Sequence, residues 1–409
     1  MSVQLRHFFL YTLLILSFTS LRGQIVMEEG LFTDDYTINP GKEKMIGLSI
    51  DNINFFKNNE SDGDIVPGYS VPGFRIAPRI IYHPVSFVKL EAGVSLLKYW
   101  GAEKYPNYAY RDISEWKSNH YQWGFHFLPF FRAQIEPIPQ VNVILGNIYG
   151  GDNHRLIETL YNRELNMTAD PEVGAQVLFD SRIAHLDAWV NWESFTFKND
   201  THNEAFSAGG SALLHITDPQ SSFYFGIPLQ GVVIHRGGEI DAVSGELLTL
   251  ANGAAGMCWK LTTDHSFFRN ISAEVFGVGY KSYLSTYQSI PYEKGWGFHS
   301  KLSFQLWNVN LKMLLWRSGN FINLLGNPIF GCMSMVHEDR AFSQVTVFNP
   351  GLHYEQKFGS GCCLGADFDC FYNPNFRQYR NSNQNLIKSG FSYSWSMGIY
   401  LRVNPSIIL

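Results

Sequence analysis

The sequence predicts an all-β protein, a single transmembrane antiparallel β-barrel of about sixteen strands. Two observations carry this prediction. Apolar and polar residues alternate along most of the chain, as they do in a strand whose two faces meet different surroundings. Short and long connections between these segments alternate strictly along the chain, which is typical of a membrane barrel. The composition of the 409 residues agrees, with 15% aromatic residues, 16% charged residues and a mean hydropathy of −0.10.

The last segment of the chain shows the alternation most clearly. Every second residue is apolar, namely Phe391, Tyr393, Trp395, Met397, Ile399 and Leu401, and the residues between them are small or polar apart from Tyr400. The stretches 123–135 and 299–306 repeat the pattern. Several alternating segments, among them 85–100 and 121–136, are longer than an ordinary strand of about 5–6 residues and long enough to cross a bilayer.

The connections give the strand count. Seven joins are short and lie around His83–Pro84, Pro137–Pro139, Ser181–Ala184, Thr217–Ser221, Asp264–Arg269, Trp307–Asn308 and Gly359–Gly361. Longer polar joins alternate with them, at roughly 55–71, 101–120, 151–171, 199–203, 237–245, 284–294, 320–340 and 374–388. With a first strand near 44–54 and a last strand near 390–402 the total is sixteen, and fourteen to eighteen strands fit the same pattern.

The final strand carries a short motif of a known class of protein. Ser396, Gly398, Ile399 and Leu401 fit the polar-x-Gly-apolar-x-apolar pattern of the C-terminal assembly signal of Gram-negative outer-membrane β-barrels. The chain resembles that class over 44–402, and in strand number it resembles the porins. The resemblance implies an outer-membrane location, contact with outer-membrane lipid and recognition by the barrel-assembly machinery. Unlike many members, this chain continues past the signal, to Leu409.

The sequence also divides the chain into segments. Residues 1–23 predict a secretory signal peptide, because Arg6 precedes an apolar run, Phe8 to Phe18, that is too short to span a bilayer. We expect a short periplasmic segment at 24–43, the barrel at 44–404 and a C-terminal tail at 405–409.

The net charge of −5 argues against nucleic acid as a partner. Homo-oligomers, which are common among sixteen-stranded porins, are compatible with the sequence.

If the apolar face of each strand meets lipid, the opposite face lines the lumen. The pore-lining candidates are Arg75, Arg79, Lys89, Glu91, His126, Arg132, Gln134, Asp187, Asn191, Glu193, Glu274, His299 and Lys301. Such charges can simply solvate a water-filled interior and pair with one another. In the functional interpretation, a basic strip of Arg75, Arg79 and Arg132 lies opposite Asp187 and Glu193 and selects among solutes, as rings of lumen charges do.

Two long loops are candidates for the inside of the barrel. In porins the third external loop folds into the channel and narrows it, which implies a constriction made by residues of 151–171: Asp152, His154, Arg155, Glu158, Arg163 and Glu164. The alternative is an ordinary exposed loop. The loop at 320–340 is more apolar and is expected either to plug the lumen or to touch a partner protein. The aromatic loop at 101–120 fits either sugar binding or the membrane interface.

Catalytic signatures are missing from the sequence. It has no G-x-S-x-G motif and no phosphate-binding loop, and we assign no catalytic residue, no cofactor and no metal. We therefore expect no enzyme but an outer-membrane channel for the diffusion of small hydrophilic solutes. The alternative is a non-conducting barrel that acts as a secretion or assembly partner or transports apolar compounds. An outer-membrane hydrolase is a third and less favoured interpretation.

Overall fold

The structure is a computed structural model. It describes residues 30–62, 65–100, 125–194, 204–237, 247–285, 290–337, 339–359, 361–380 and 385–408. The predicted signal peptide and the predicted loops 101–120 and 199–203 lie outside these residues, as does all of 237–245 except Gly237. Within the described ranges, no helix has the length and apolar character needed to cross a membrane.

The described residues form one closed antiparallel barrel of sixteen long strands, with two additional strands of three residues each. The sixteen-strand prediction is confirmed. The strands are β1 (Ile46–Ser61), β2 (Tyr69–Val85), β3 (Val88–Tyr99), β4 (His126–Ile138), β5 (Val141–Asn147), β6 (Val173–Asp180), β7 (Ala184–Ser194), β8 (Ala205–His215), β9 (Phe223–Arg236), β10 (Leu248–Thr262), β11 (Phe268–Ser285), β12 (Lys294–Leu306), β13 (Val309–Gly319), β14 (Arg340–Phe342), β15 (Gln344–Phe358), β16 (Cys362–Arg380), β17 (Leu386–Val403) and β18 (Ser406–Ile408). The helical turns are Pro40–Lys42, Gly151–His154, Leu165–Thr168 and Pro328–Phe330.

Neighbouring strands are paired around the whole circumference. β1 pairs with β2 on one side and with β17 on the other, so that the first and last long strands close the sheet. The seven short turns lie at one end of the barrel, which we call the short-turn end. Six lie where the sequence places them, but the first lies at Ser86–Phe87 and not around His83–Pro84, because β2 continues to Val85 through an irregularity in its pairing with β3. The other end is the long-loop end. The predicted loops 55–71 and 374–388 are too long, because β1, β2, β16 and β17 extend into them and stay paired there.

The two faces of the strands differ as the alternation predicts. On β4, Phe127 and Phe131 are 63% and 56% exposed on the outer face, whereas Arg132 and Gln134 are buried on the inner face. On β17, Phe391 and Ile399 point outward, and Ser396 and Arg402 point inward. The outer surface is therefore apolar and aromatic along the strands, as a lipid-facing surface must be.

Both ends of the described chain belong to the barrel, which changes the predicted domain boundaries. Residues 30–38 lie in the lumen at the short-turn end, where Arg402 donates to the carbonyl oxygens of Leu31 (2.9 Å) and Thr33 (3.0 Å) and bonds the carboxylate of Asp34. The predicted tail at 405–409 is not separate from the barrel. Residues 406–408 form β18, which pairs with residues 47–49 of β1, because the edge of β1 would otherwise be unpaired there.

A charge on the lipid face is expected to destabilise the barrel. Phe131 lies about midway along β4, so we expect Phe131→Arg to lower the free energy of unfolding by ~2–4 kcal/mol. Urea unfolding in phospholipid vesicles measures the effect. Gln220→Arg, in the exposed turn between β8 and β9, is the matched control and should change stability little. Equal stability of the two variants would contradict the assignment of this face to lipid.

Candidate functional site

The loop between β5 and β6 folds back into the barrel. It contains the turn Gly151–His154 and the short helix Leu165–Thr168, and most of its side chains are buried. Ile157 and Leu160 join an apolar cluster with residues of β9 to β11 and β13 to β16, and Leu165 joins a second cluster with Trp189 of β7. The structure thus places the predicted constriction loop inside the lumen. A role in narrowing a diffusion path stays a prediction.

A second loop, between β13 and β15, fills the lumen beside the first. Phe321 and Phe330 pack edge-on against Trp316, an inward-facing residue of β13, at ring-centroid distances of 5.2 and 6.0 Å. Asn252 of β10 holds the backbone of this loop, since its amide donates to the carbonyl of Ile322 and accepts from the N–H of Leu324, both at 2.9 Å. Of the two roles open for this loop, the structure favours the plug.

His154 fixes the first loop to the barrel wall. Its Nδ1 lies 2.7 Å from Asp187 of β7, its Nε2 lies 2.9 Å from Glu172, and its ring stacks on Trp189 at 3.6 Å. Burial alone lowers the pKa of His154, but the Glu172 and Asp187 carboxylates outweigh it and raise the pKa to about 9. The histidine is therefore an imidazolium at neutral pH, with each ring N–H bonded to a carboxylate.

The other charged residues of this loop also have partners inside the barrel. Glu158 accepts from Lys312 at 2.7 Å, and Arg163 pairs with Asp152 at 3.1 Å. Burial raises the pKa of Glu158. The Lys312 and Lys301 ammonium groups outweigh this effect, so that the pKa falls to about 2. Two further candidates bond side chains near the lumen, Glu164 with Tyr69 (2.8 Å) and Asn59 (3.1 Å), and Arg155 with Tyr36 (3.5 Å).

All thirteen pore-lining candidates lie on the inner face, but the basic strip does not stand opposite free carboxylates. Arg132 and Arg79 share Glu91, at 2.9 and 3.8 Å, and Arg75 approaches Asp51 at 3.5 Å. The carboxylates predicted to face the strip have closer partners: Asp187 binds His154, and Glu193 binds Arg236 at 2.9 Å. The charges are neutralised locally, because buried ions are stable only next to a counter-ion. Selection among solutes by these residues stays a prediction.

A cavity of about 2100 Å³ lies between the two inserted loops and the short-turn end of the lumen. It is lined by turn residues such as Gln140 and Arg182 and by inward side chains such as Glu274, Lys301 and His353. The lumen is thus divided: its short-turn half holds a polar cavity, and its long-loop half is filled by the two inserted loops.

The outer surface carries a polar feature that the sequence analysis missed. At the long-loop end, four side chains lie directly opposite one another on β7 to β10: Trp192, Phe206, His235 and Thr249. Phe206 stacks on Trp192 at 5.2 Å and contacts the ring of His235 at 5.0 Å. We call His235 and Thr249 the rim pair. Both are half-buried and belong to the outward face, since their neighbours Ile234 and Leu248 are buried in the lumen.

The hydrogen bonds of the rim pair define the protonation of the ring. His235 Nε2 lies 2.7 Å from the carbonyl oxygen of Gly237, and Nδ1 lies 2.8 Å from Thr249 Oγ1. A carbonyl oxygen only accepts, so Nε2 carries the proton. In the neutral ring Nδ1 then accepts from the threonine hydroxyl. The Thr249 hydroxyl, the His235 ring as a base and the Gly237 carbonyl that orients the ring together have the arrangement of an activated nucleophile.

The anchoring of the first loop should depend on pH. The pKa of His154 is raised above its ordinary 6.5, so its contribution to stability is complete below about pH 6.5 and is lost as the pH rises through about 9. A protonated ring stacked on Trp189 quenches that indole, so tryptophan fluorescence should rise with a midpoint near pH 9. His154→Gln should remove the transition, and a wild-type midpoint near 6.5 would contradict the double ion pair.

Several solved structures are similar to this chain at low sequence identity, each with a TM-score below 0.5. OccAB4 of Acinetobacter baumannii gives a TM-score of 0.47 at 7% identity and covers 90% of this chain and 100% of its own. OmpT of Vibrio cholerae, solved in a trimer form, gives 0.46 at 8% identity with coverage of 87% and 99%. The anion-selective porin of Comamonas acidovorans gives 0.45 at 9% identity with coverage of 87% and 99%. These likenesses concern the fold and support no inference about activity. No curated protein matches the sequence.

A sequence model of one family matches almost the entire chain. The family is described as "Lipid A 3'-O-deacylase-type", and the match covers residues 38–409, which is the whole barrel. The expectation that this barrel is not an enzyme is therefore wrong, because the family is one of enzymes. The motif search failed because it tests contiguous residues, whereas a barrel can assemble a site from residues of several strands. The chain belongs to the lipid A 3'-O-deacylase-type family.

Proposed function

We propose that this barrel hydrolyses the ester bond of an acyl chain attached to lipid A at the 3' oxygen. The family match over residues 38–409 carries the proposal. Lipid A is anchored by its acyl chains, so its ester bonds lie near the border between hydrocarbon and headgroups. An enzyme that acts on such a substrate within its own membrane needs reactive groups on its outer surface, near one end of the strands.

The rim pair meets this requirement. His235 is the second-last residue of β9 and Thr249 the second residue of β10, so both lie at the long-loop end of the outward face. The long loops of outer-membrane barrels face the outside of the cell, which is the side that holds lipid A. The exposed Trp192 in the same row fits the membrane interface, where aromatic side chains are enriched.

The geometry of the rim pair supports a two-step ester hydrolysis. Thr249 Oγ1 attacks the acyl carbonyl carbon while His235 Nδ1 accepts the hydroxyl proton. The sugar oxygen leaves as that proton returns to it, and the acyl group remains on Thr249 as an ester. Water then attacks this ester while Nδ1 accepts a proton from it. Nδ1 returns that proton to Thr249 Oγ1 as the acyl–oxygen bond breaks, so that the fatty acid, the free threonine and the neutral imidazole result. The Gly237 carbonyl orients the ring by accepting from Nε2.

A channel for small hydrophilic solutes is the second candidate. The polar cavity of about 2100 Å³ at the short-turn end favours it. The packing of Phe321, Phe330 and Trp316 in the other half opposes it, since a buried apolar contact inside the lumen disfavours the passage of hydrophilic solutes. Planar-bilayer recordings test the candidate directly. A steady unit conductance of the folded wild-type protein would support a channel, and the absence of conductance would exclude the channel function.

The enzymatic proposal predicts a change in the mass of the lipid. Wild-type protein folded into vesicles that contain lipid A should release a 3'-linked acyl chain, which mass spectrometry of the extracted lipid detects. We expect His235→Ala and Thr249→Val to lower the rate by at least about 100-fold, the usual range for a lost general base. Thr249→Ser retains the hydroxyl and should keep most of the activity.

The controls separate the function from its assigned residues. Thr262→Val and His265→Ala replace the same residue types at the short-turn end, near the start of the β10–β11 turn, and should leave the rate unchanged. Intact lipid A after incubation with folded wild-type protein would overturn the proposed function. Full activity of His235→Ala would overturn the rim pair alone, and loss of activity in His235→Ala but not in Thr249→Val would indicate attack by water.

A further inference from the structure

Next to the rim pair, two lysines lie directly opposite each other on the outer face. Lys281 of β11 pairs with Lys294 of β12, and both side chains are exposed. Like charges in direct cross-strand contact destabilise a sheet. Among the described residues, neither lysine forms an ion pair with a carboxylate. We call Lys281 and Lys294 the basic pair.

A second pair of like charges in the same barrel shows the usual solution. Arg340 of β14 stands opposite Arg380 of β16, and Asp339 lies within 3.8 Å of the first and 3.3 Å of the second. Asp339 supplies the negative charge that this arginine pair requires. The basic pair has no such residue in the described part of the chain, so it presents two positive charges to whatever meets the outer surface.

The surroundings of the basic pair are those of a membrane interface. Trp296, two residues from Lys294 on the same face, is 50% exposed, and Tyr283, two residues from Lys281, is 71% exposed. Lysines at this level extend their ammonium groups to the headgroups while their stems lie along apolar surface. A partner of the basic pair therefore combines apolar chains with a negatively charged headgroup.

The register places the basic pair beside the rim pair. Lys281 is opposite Ala251 of β10, and Ala251 is two residues from Thr249 on the same face of that strand. One molecule can therefore contact both pairs, with its charged group on the lysines and an ester bond at Thr249. Lipid A has this combination, since its sugar headgroup carries phosphates next to ester-linked acyl chains.

We propose that Lys281 and Lys294 bind a phosphate of the lipid A headgroup and so position the substrate at the rim pair. This inference rests on the proposed function for the identity of the ligand, but it concerns binding and is measurable without turnover. The lysines hold the substrate and take no part in bond breaking. Their removal should weaken binding and leave the catalytic step unchanged.

Binding to vesicles of defined composition tests the proposal. The probes are full-length protein in phosphatidylcholine vesicles doped with bisphosphorylated lipid A, with dephosphorylated lipid A or with phosphatidylglycerol, and native mass spectrometry counts the retained lipid. Each lysine near a charged membrane surface contributes on the order of 1 kcal/mol, so Lys281→Gln with Lys294→Gln should weaken binding of the bisphosphorylated lipid roughly 30-fold. Removal of the phosphates should weaken binding to wild type by a similar factor.

A double variant with the same loss of charge is the control. Lys42→Gln with Lys44→Gln removes two lysines at the short-turn end, outside the proposed site, and should bind lipid A as wild type does. Wild-type affinity in the Lys281/Lys294 double variant, or equal retention of phosphatidylglycerol by wild type, would overturn the docking site.

Turnover and binding can fail separately. If wild type binds bisphosphorylated lipid A through the basic pair but releases no acyl chain, the proposed function fails and the docking site stands. If acyl release is seen and the Lys281/Lys294 double variant keeps the wild-type KM, the docking site is overturned and the proposed function stands. A raised KM with an unchanged kcat is the result expected for positioning residues.

Discussion

The closure of the sheet between β1 and β17 is the constraint on which the rest of the structure depends. A strand in hydrocarbon has no water to satisfy its backbone N–H and C=O groups, so each group needs a neighbouring strand. Pairing of residues 52–61 with residues 394–403 removes the last open edge. Closure then forces each strand to present one face to lipid and the other to an enclosed lumen. The alternation of apolar and polar residues along each strand results from this difference between its two faces.

Closure also creates an interior that the chain fills in two ways. Near the short-turn end the inward residues are polar, and buried ions such as Arg132 and Arg402 lie beside carboxylates because an isolated charge there would be costly. Near the long-loop end the inward residues of β11 and β13 are apolar, and the loop after β13 packs on them. In both halves, therefore, the largest inward side chains have matching surroundings: the buried ions lie beside counter-ions and the aromatic rings pack on other apolar groups.

The sequence predicts what depends on local pattern. Alternation along 391–401 predicts a strand and its lipid-facing side, and dipeptides such as Trp307–Asn308 mark the turns, because both signals lie within a few residues. The plug is harder to predict. Phe276 and Trp316 lie on inward faces that a polar lumen would not tolerate, but their apolar character could be interpreted only once the loop that covers them was placed. The buried partners of His154 are 18 and 33 residues away, a separation that no spacing rule covers.

The rim pair, the site proposed for ester hydrolysis, shows why a pair of residues on two strands escapes a motif search. His235 and Thr249 are separated by a join of no fixed motif, and they meet because β9 and β10 are in a register that places them opposite each other. A shift of one residue would turn Thr249 into the lumen and leave His235 on the lipid face without the hydroxyl that donates to its Nδ1. Register is set by the whole strand, in particular by Val232 and Leu250, whose burial fixes the inward face. The position of the rim pair on the outer surface is thus specified by packing on the inner one, so that the plugged lumen and the rim pair are two consequences of one pairing.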